Sequence, residues 1–178
     1  MNANLSSLGA NRGGGAVVAG VSAGYQTIED YPQYEMQIPD DYAAPTIIEE
    51  APNFRIQWQG QQRDNGSAPQ LQVTITESTD GSTPSVDELI AERSQELESQ
   101  FDGFSATAPD SFNAQGIAFS RIAWGGTQKS TSRPVQGFTY AAVDSGLAII
   151  IDYSDESPDA DQTTDSAHAA AESFRRTP

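Results

Sequence analysis

The chain has 178 residues, a formal net charge of -16 at pH 7 and a sequence pI of about 4.1. Its few cations could not neutralise a row of phosphates, so the composition argues against binding to nucleic acid or to an anionic membrane surface. The chain contains no cysteine, which excludes disulfides, zinc–thiolate sites and thiol catalysis.

The acidity has two open explanations. Of the nine cations, eight are arginine and only Lys129 is lysine. An acidic surface attracts a basic protein partner or divalent cations. An acidic, lysine-poor and glutamine-rich composition is also what a salt-tolerant or GC-rich host would produce, without any partner.

Residues 1–24 predict a flexible tail, because they are rich in Gly, Ala, Ser and Asn and hold six of the fifteen glycines. Their apolar run, residues 16–19, is too short for a secretory signal, and no segment approaches transmembrane length. We therefore expect this tail on a single α/β domain of residues 25–178, without direct membrane insertion. The expected compartment is the cytoplasm, with a bacterial envelope as the alternative.

Two motif matches fall in the tail. Residues 15–22 have the spacing of a phosphate-binding loop, but Val21 stands where that loop needs a lysine. Residues 20–24 have the spacing of a nucleophile elbow, and His168 follows Ser22 in the chain order of a serine hydrolase. An elbow needs a core strand before it and a helix after it, so the pattern disfavours this hydrolase, which stays an alternative.

Three stretches of the N-terminal half alternate between apolar and polar residues, as strands with one buried face do. These predicted strands cover residues 34–38, 54–58 and 71–76, with a connector over 45–52 and a polar segment over 59–69 between them.

A helix over residues 86–101 organises the predicted core. Ser85 and Glu88 form a capping box at its start. Gly103 predicts its end, because glycine takes a left-handed turn at little cost. The apolar stripe of this helix repeats at helical spacing and consists of Val86, Leu89, Ile90, Leu97 and Phe101.

Arg93 falls in the middle of this apolar stripe, and two interpretations remain open. Its stem packs on the sheet while its charged head reaches Glu96 or water. Alternatively, its guanidinium pairs with a buried acid.

Antiparallel strands are expected after the helix. Strands are predicted over residues 117–124, 135–143 and 147–151, the last of them buried, and residues 104–108 alternate between apolar and polar side chains. A turn over 113–116, a polar loop over 125–134 and a hairpin turn over 144–146 connect them.

Thr164 or Asp165 is expected to cap a second helix. His168 on its flank is expected to form an exposed pair with Glu172. The buried face of this helix is expected to be Ala167, Ala170, Ala171 and Phe174, with Arg175 and Arg176 at the negative end of its dipole.

An acidic run precedes this second helix. Calcium favours several carboxylates around one turn, but the run lacks the loop glycine and closing glutamate of an EF-hand. We therefore expect a solvated acidic loop, with no metal and no other cofactor. The weak candidates for metal ligands are Asp152, Asp155, Asp159 and Asp161.

The stretch around the predicted loop 125–134 is locally positive. Three of the nine cations lie here beside an aromatic side chain, a combination that can bind an acidic group or a partner. An ordinary hairpin loop with solubilising charges is the alternative. The candidate partner-binding residues are Arg121, Trp124, Lys129 and Arg133.

Arranged in this way, the chain resembles the PsbP-like family, named for the extrinsic subunit of photosystem II and including bacterial envelope proteins, secretion chaperones and a Ran-binding factor. The resemblance covers roughly residues 25–176. It is carried by residues 34–42 (YEMQIPDDY), the helix over 86–101, the strand over 113–124 with its Gly116 turn, the hairpin around Gly146, and residues 171–174.

This resemblance implies an α+β fold, with a mainly antiparallel sheet flanked by helices as in the PsbP-like α/β/α sandwich. It also implies a non-catalytic accessory subunit that binds or assembles a larger protein complex. Such a complex could be large or membrane-associated and held through the N-terminal tail. A photosystem role is only weakly implied, because photosystem subunits dock through basic residues and this chain has few of them. The alternatives are a calcium-responsive acidic domain and the serine hydrolase of Ser22 and His168.

Overall fold

A computed structural model describes residues 21–50, 52–78, 81–157 and 159–178. The predicted tail up to residue 20 and most of the phosphate-loop match lie outside these described residues. The described elements in the N-terminal half are β1 (Val21–Ile28), β2 (Tyr31–Pro39), β3 (Thr46–Glu50), β4 (Asn53–Gln59), β5 (Gln70–Glu77) and α1 (Val86–Gln100). The C-terminal half contains β6 (Phe101–Ala106), β7 (Asp110–Ala114), β8 (Ile117–Gln128), β9 (Arg133–Asp144), β10 (Leu147–Glu156), α2 (Ala160–Glu172) and β11 (Arg175–Arg176).

Two antiparallel sheets form from these strands. The large sheet has the order β3-β4-β5-β10-β9-β8-β6, and β7 pairs with β8 beside this path. The small sheet has the order β1-β2-β11. Every strand pair in both sheets is antiparallel. The predicted fold class, a mainly antiparallel α+β domain, is confirmed.

One face of the large sheet packs under the small sheet and α2. The aromatic side chains Tyr34 and Phe174 stack at 5.2 Å between the two layers. Both are almost completely buried, as predicted for Phe174. Alternate residues of the large sheet complete this main core: Phe54, Ile56, Trp58, Leu71, Val73, Ile75, Phe119, Phe138, Tyr140, Ala142, Ile149, Ile151 and Tyr153.

The opposite face carries α1 on one half only. The helix buries Leu89, Ile90 and Leu97 as its stripe predicted. Small side chains on the strands beneath, Ala141 and Ala148, allow a close approach of the helix. Burial of this stripe fixes which half of the sheet α1 covers.

The start of α1 agrees with the prediction, and its end does not. Ser85 accepts a hydrogen bond from the backbone N–H of Glu88, whose side chain accepts from the backbone of Ser85. At the other end, Phe101 is already extended, so the helix passes directly into β6. Gly103 does have a positive φ of 63°, but it lies inside β6 and ends no helix.

Several predicted boundaries were wrong. The predicted loop over 125–134 is mostly strand, because β8 continues to Gln128 and β9 begins at Arg133. The predicted connector contains β3, and residues 21–24 of the predicted tail belong to β1. The acidic run is not a solvated loop at its start, since β10 continues to Glu156. The second helix begins at Ala160 after Asp159, so its cap lies five or six residues earlier than the predicted Thr164 or Asp165.

The C-terminal arginines also differ from the prediction. Arg175 and Arg176 form β11 and pair with β2 instead of only capping a helix dipole. Arg175 also donates to the Glu35 carboxylate at 2.7 Å, and Arg176 donates to Asp144. These contacts attach β11 to β2 of the small sheet and to the end of β9 in the large sheet.

We expect Gly137→Ala to lower the free energy of unfolding by about 3 kcal/mol, because overpacking a close strand contact forces the backbone apart. A Cβ at Gly137 would overlap the backbone oxygen of Tyr153 and lie 2.7 Å from the Trp124 ring. Gly125→Ala on the adjacent strand is the matched control, since its Cβ would find its nearest neighbour at 3.6 Å. Chemical denaturation of both variants measures the difference, and equal stabilities would contradict this packing.

Candidate functional site

The half of the large sheet that α1 leaves uncovered is polar. Because side chains alternate along a strand, β4 and β5 each direct one row into the main core and the other toward the α1 side. The second rows are Asn53, Arg55, Gln57 and Gln59 on β4, and Gln70, Gln72, Thr74 and Thr76 on β5. Neither row contains a carboxylate, in a chain with 25 acidic residues.

A groove runs between α1 and this polar half of the sheet. It consists of two adjoining cavities of about 290 and 560 Å³. The residues that line both are Arg55, Gln72, Arg93, Glu96 and Asp152. The smaller cavity continues toward Thr83 and the larger one toward Trp124. We call these two cavities together the α1–β5 groove.

A buried ion pair crosses the middle of the groove. Arg93 Nε lies 3.1 Å from the Asp152 carboxylate, and its NH1 donates to Glu96 at 2.8 Å. Thr139 donates a third hydrogen bond to Asp152 at 2.6 Å. Burial raises the pKa of the Asp152 carboxyl, while the charge of Arg93 lowers it. The second interpretation of Arg93 is therefore confirmed, and its contact with Glu96 was also anticipated.

Two residues that line the larger cavity each carry a buried hydrogen-bond donor without a partner. Arg55 Nε and the Trp124 indole nitrogen are buried, and neither has a hydrogen bond within the described residues. The Trp124 ring itself is packed between Phe101 and Phe104. The groove therefore presents two unsatisfied donors beside a wall of amides and hydroxyls.

Sequence reasoning placed Arg55 on the polar face of its strand but did not identify it as a site residue. A signal was present. The polar rows of β4 and β5 hold one charged side chain, that arginine, and no acid to pair with it. Its isolation could therefore have been predicted once the two strands were taken as neighbours.

The four predicted partner-binding residues do not share one surface. Arg121 pairs with Asp110 of β7 at 3.0 Å and with Glu172 of α2 at 3.5 Å, whereas Trp124 faces α1 on the other side of the sheet. Lys129 donates to the carbonyl oxygens of Glu98 and Ser99 at the end of α1, and Arg133 pairs with Glu156. Of the four, Trp124 lines the groove. A binding role for the other three stays a prediction.

The weak metal-ligand candidates are separated. Asp152 faces α1, whereas Asp155 faces the opposite side of β10 and forms a bidentate pair with Arg63, with both distances 2.6 Å. Asp159 lies 3.6 Å from the same arginine, and Asp161 is exposed on α2. Within the described residues, no group of three or more potential ligands is close enough to hold a metal ion.

Ser22 does not lie in a nucleophile elbow, the turn between a strand and a helix that the hydrolase hypothesis requires. Ser22 belongs to β1, which continues to Ile28 and is followed by β2 rather than by a helix. His168 is not in an exposed pair as predicted: its ring stacks on Phe138 at 4.1 Å, and its Nδ1 lies 2.9 Å from the hydroxyl of Tyr140. The imidazole is therefore packed as part of the α2 interface.

We expect Arg93→Met to lower the free energy of unfolding by about 3 kcal/mol at pH 7, because it leaves Asp152 buried without its cation. The variant's deficit should shrink as the pH falls, since an acid whose folded pKa is raised binds its proton more readily in the folded state. Denaturation at pH 7 and pH 5 measures both effects. The double variant Arg93→Met/Asp152→Asn should recover most of the loss, and a deficit that does not change with pH would refute the assignment.

The single histidine of the chain allows a direct titration. Burial lowers the pKa of His168 below its usual 6.5, partly opposed by the charge of Glu172, while Arg121 lowers it further. The folded state then binds fewer protons than the unfolded chain, so stability should fall as the pH drops below about 6.5. NMR of the imidazole protons gives the pKa, and His168→Gln should remove this part of the pH dependence. A pKa above 6.5 would contradict the buried placement.

The described residues contain no helix long and apolar enough to cross a membrane. No protein-family model matches the chain, and no curated protein matches it either. Solved structures, in contrast, do match. Cyanobacterial PsbP (CyanoP) from Synechocystis superposes with a TM-score of 0.61 at 13% identity, covering 96% of this chain and 99% of that one.

Two further structures extend the comparison. LpqN, involved in cell envelope biogenesis of Mycobacterium tuberculosis, gives a TM-score of 0.56 at 14% identity over 82% of this chain and 83% of its own. The Ran-binding protein Mog1p of Saccharomyces cerevisiae gives 0.53 at 13% identity, with coverage of 86% and 95%. At these identities the likeness establishes architecture alone, and the chain has the PsbP-like fold.

Proposed function

We propose that this chain is a non-catalytic accessory subunit that binds a protein partner through the α1–β5 groove. The observation that carries the proposal is the pair of buried donors, Arg55 Nε and Trp124 Nε1, that line a polar cavity and lack acceptors. A groove of this kind favours ordered recognition of polar groups. The His168 imidazole is instead engaged by Phe138 and Tyr140.

The charge of the chain defines the kind of partner. A net charge of -16 produces a long-range field that attracts a basic molecule and accelerates its encounter. The host-composition explanation of the acidity remains compatible with this, because the field exists whatever its origin. We therefore propose a partner that is basic over the surface facing this chain.

Proteins with the same fold support a binding role. Mog1p is described as a Ran-binding protein, and its fold agrees with that of this chain over most of both lengths. The finer proposal, a large or membrane-associated complex that also holds residues 1–24, rests on the composition of that segment. The separated carboxylates and the strand context of Ser22 give no support to the calcium and hydrolase alternatives.

The test is affinity capture of the tagged chain from native lysate of its source cells, at about 50 mM and about 300 mM salt, where screening lengths differ about twofold. We expect one stoichiometric partner that is retained at low salt and weakened at high salt. Gln72→Trp places a large ring in the groove and should release it. Gln162→Trp, the same exchange at an exposed position on α2, is the control.

Loss of the partner with Gln72→Trp but not with Gln162→Trp supports the proposed function. Equal capture by both variants would refute the groove as the binding surface. A wild-type chain that stays without any partner at low salt would refute the accessory role itself. Crosslinking followed by mass spectrometry identifies which side of the large sheet the partner contacts.

A further inference from the structure

Among the arginines that the structure describes, ion pairing with a carboxylate has one exception. Six of the seven arginines within the described residues form an ion pair with a carboxylate: Arg63, Arg93, Arg121, Arg133, Arg175 and Arg176. The seventh, Arg55, forms none. With 25 acidic residues in the chain, an arginine without an acid needs an explanation.

Three acids line the groove around Arg55, and none of them pairs with it. Glu92 is an exposed residue of α1 that forms no ion pair within the described residues, and the other two have partners. Asp152 is engaged by Arg93 and Thr139, and Glu96 is engaged by Arg93. The neighbouring Gln72 donates to Thr74. The two paired acids are therefore oriented toward the helix, while the guanidinium lies on the sheet side.

An unsatisfied buried donor is costly, and more so when the group is charged. Arg55 Nε is such a donor, and the indole N–H of Trp124, which also lines this cavity, is a second one. Two donors around one cavity of about 560 Å³ call for a ligand that brings acceptors. A guanidinium matches a carboxylate best, because its planar fork forms two parallel hydrogen bonds.

We propose that the α1–β5 groove takes up one carboxylate side chain, an Asp or Glu of an extended segment of the partner protein, with Arg55 as its ion-pair partner. This proposal rests on the proposed function and adds the chemistry of recognition. The groove amides and hydroxyls, including Gln70, Gln128 and Ser154, bind the backbone of that segment. The Trp124 indole donates to an oxygen of the same segment.

The field of the chain limits this ligand to one anchoring acid. A segment with several acidic residues would be repelled by the net charge of -16, whereas a single acid flanked by enough basic residues to leave a net positive charge is attracted as a whole. The bound carboxylate then gives Arg55 the ion pair that the other six described arginines already have. Specificity arises because a partner with an amide at that position would leave the half-buried Arg55 guanidinium without an ion-pair partner.

The probe is a capped five-residue peptide of lysine, glycine and one central glutamate, compared with the same peptide carrying glutamine. The readouts are the NMR signals of the Arg55 Nε–H and the Trp124 indole N–H. The indole of Trp58 is an internal reference, because it does not line the groove. Its N–H donates to the side chain of Gln26 at a distance of 3.4 Å. We expect saturable shifts of both groove signals with the glutamate peptide, and binding at least about tenfold weaker with glutamine, which corresponds to 1.4 kcal/mol.

Variants separate the ion pair from the general field. Arg55→Gln should abolish the peptide-induced shift of Trp124. Gln61→Glu makes the same change in net charge at an exposed loop residue and should leave the shift unchanged. Arg55→Lys keeps the charge but lacks the fork, and it should retain only part of the affinity.

Equal affinity for the two peptides, or unchanged binding to the Arg55→Gln protein, would overturn the proposal. Tighter binding of inorganic phosphate than of the glutamate peptide would also overturn it, because the groove would then be a phosphate site. Failure here is distinguishable from failure of the proposed function. If wild type and Arg55→Gln bind a natural partner equally, the carboxylate inference alone is refuted. If the chain binds no partner, the accessory role is refuted.

Discussion

The ion pair between Arg93 and Asp152 sets the geometry on which the groove depends. It links the middle of α1 to β10, the strand at which the covered and uncovered halves of the large sheet meet. Apolar packing of Leu89 and Leu97 holds the helix on β8 and β9, but such packing is tolerant of sliding and tilt. A hydrogen-bonded ion pair does not tolerate such movement, because its atoms must stay within bonding distance. It therefore holds the edge of the helix at one distance from the strands. The uncovered strands β4 and β5 consequently border an open channel and are not closed over.

Arginine in this acidic chain acts mainly as a crosslink between elements that are distant in sequence. Arg63 ties the loop before β5 to Asp155 on β10, and Arg175 ties the last strand to Glu35 on β2. A guanidinium suits this role better than an ammonium, because its fork fixes two oxygens and its charge is weakly hydrated. The excess of arginine over lysine therefore has a structural explanation within the chain, whatever the host contributes to its overall composition.

Local signals were predictable, and the arrangement of the elements largely was not. The cap at Ser85 and the stripe of α1 depend on neighbours three or four residues away, so the sequence reveals them directly. The strand character of β8 beyond Trp124 was missed because two glycines there suggested a loop. The structure gives their reason: a Cβ at Gly126 would lie 2.9 Å from that of Phe101, so the glycine permits two strands to meet. The groove depends on which half of the sheet α1 covers, a tertiary choice that no local pattern encodes.

The two-residue strand β11 has a consequence for the order of assembly. It adds to β2 with Arg175 opposite Glu35, a contact that spans 140 positions of the chain. Closing so large a loop has an entropic cost that local contacts do not share, and it requires residues 175–176 to have left the ribosome. During synthesis, the outer edge of β2 therefore stays unpaired until β11 has emerged, and a chaperone or a second nascent chain has that interval in which to reach it.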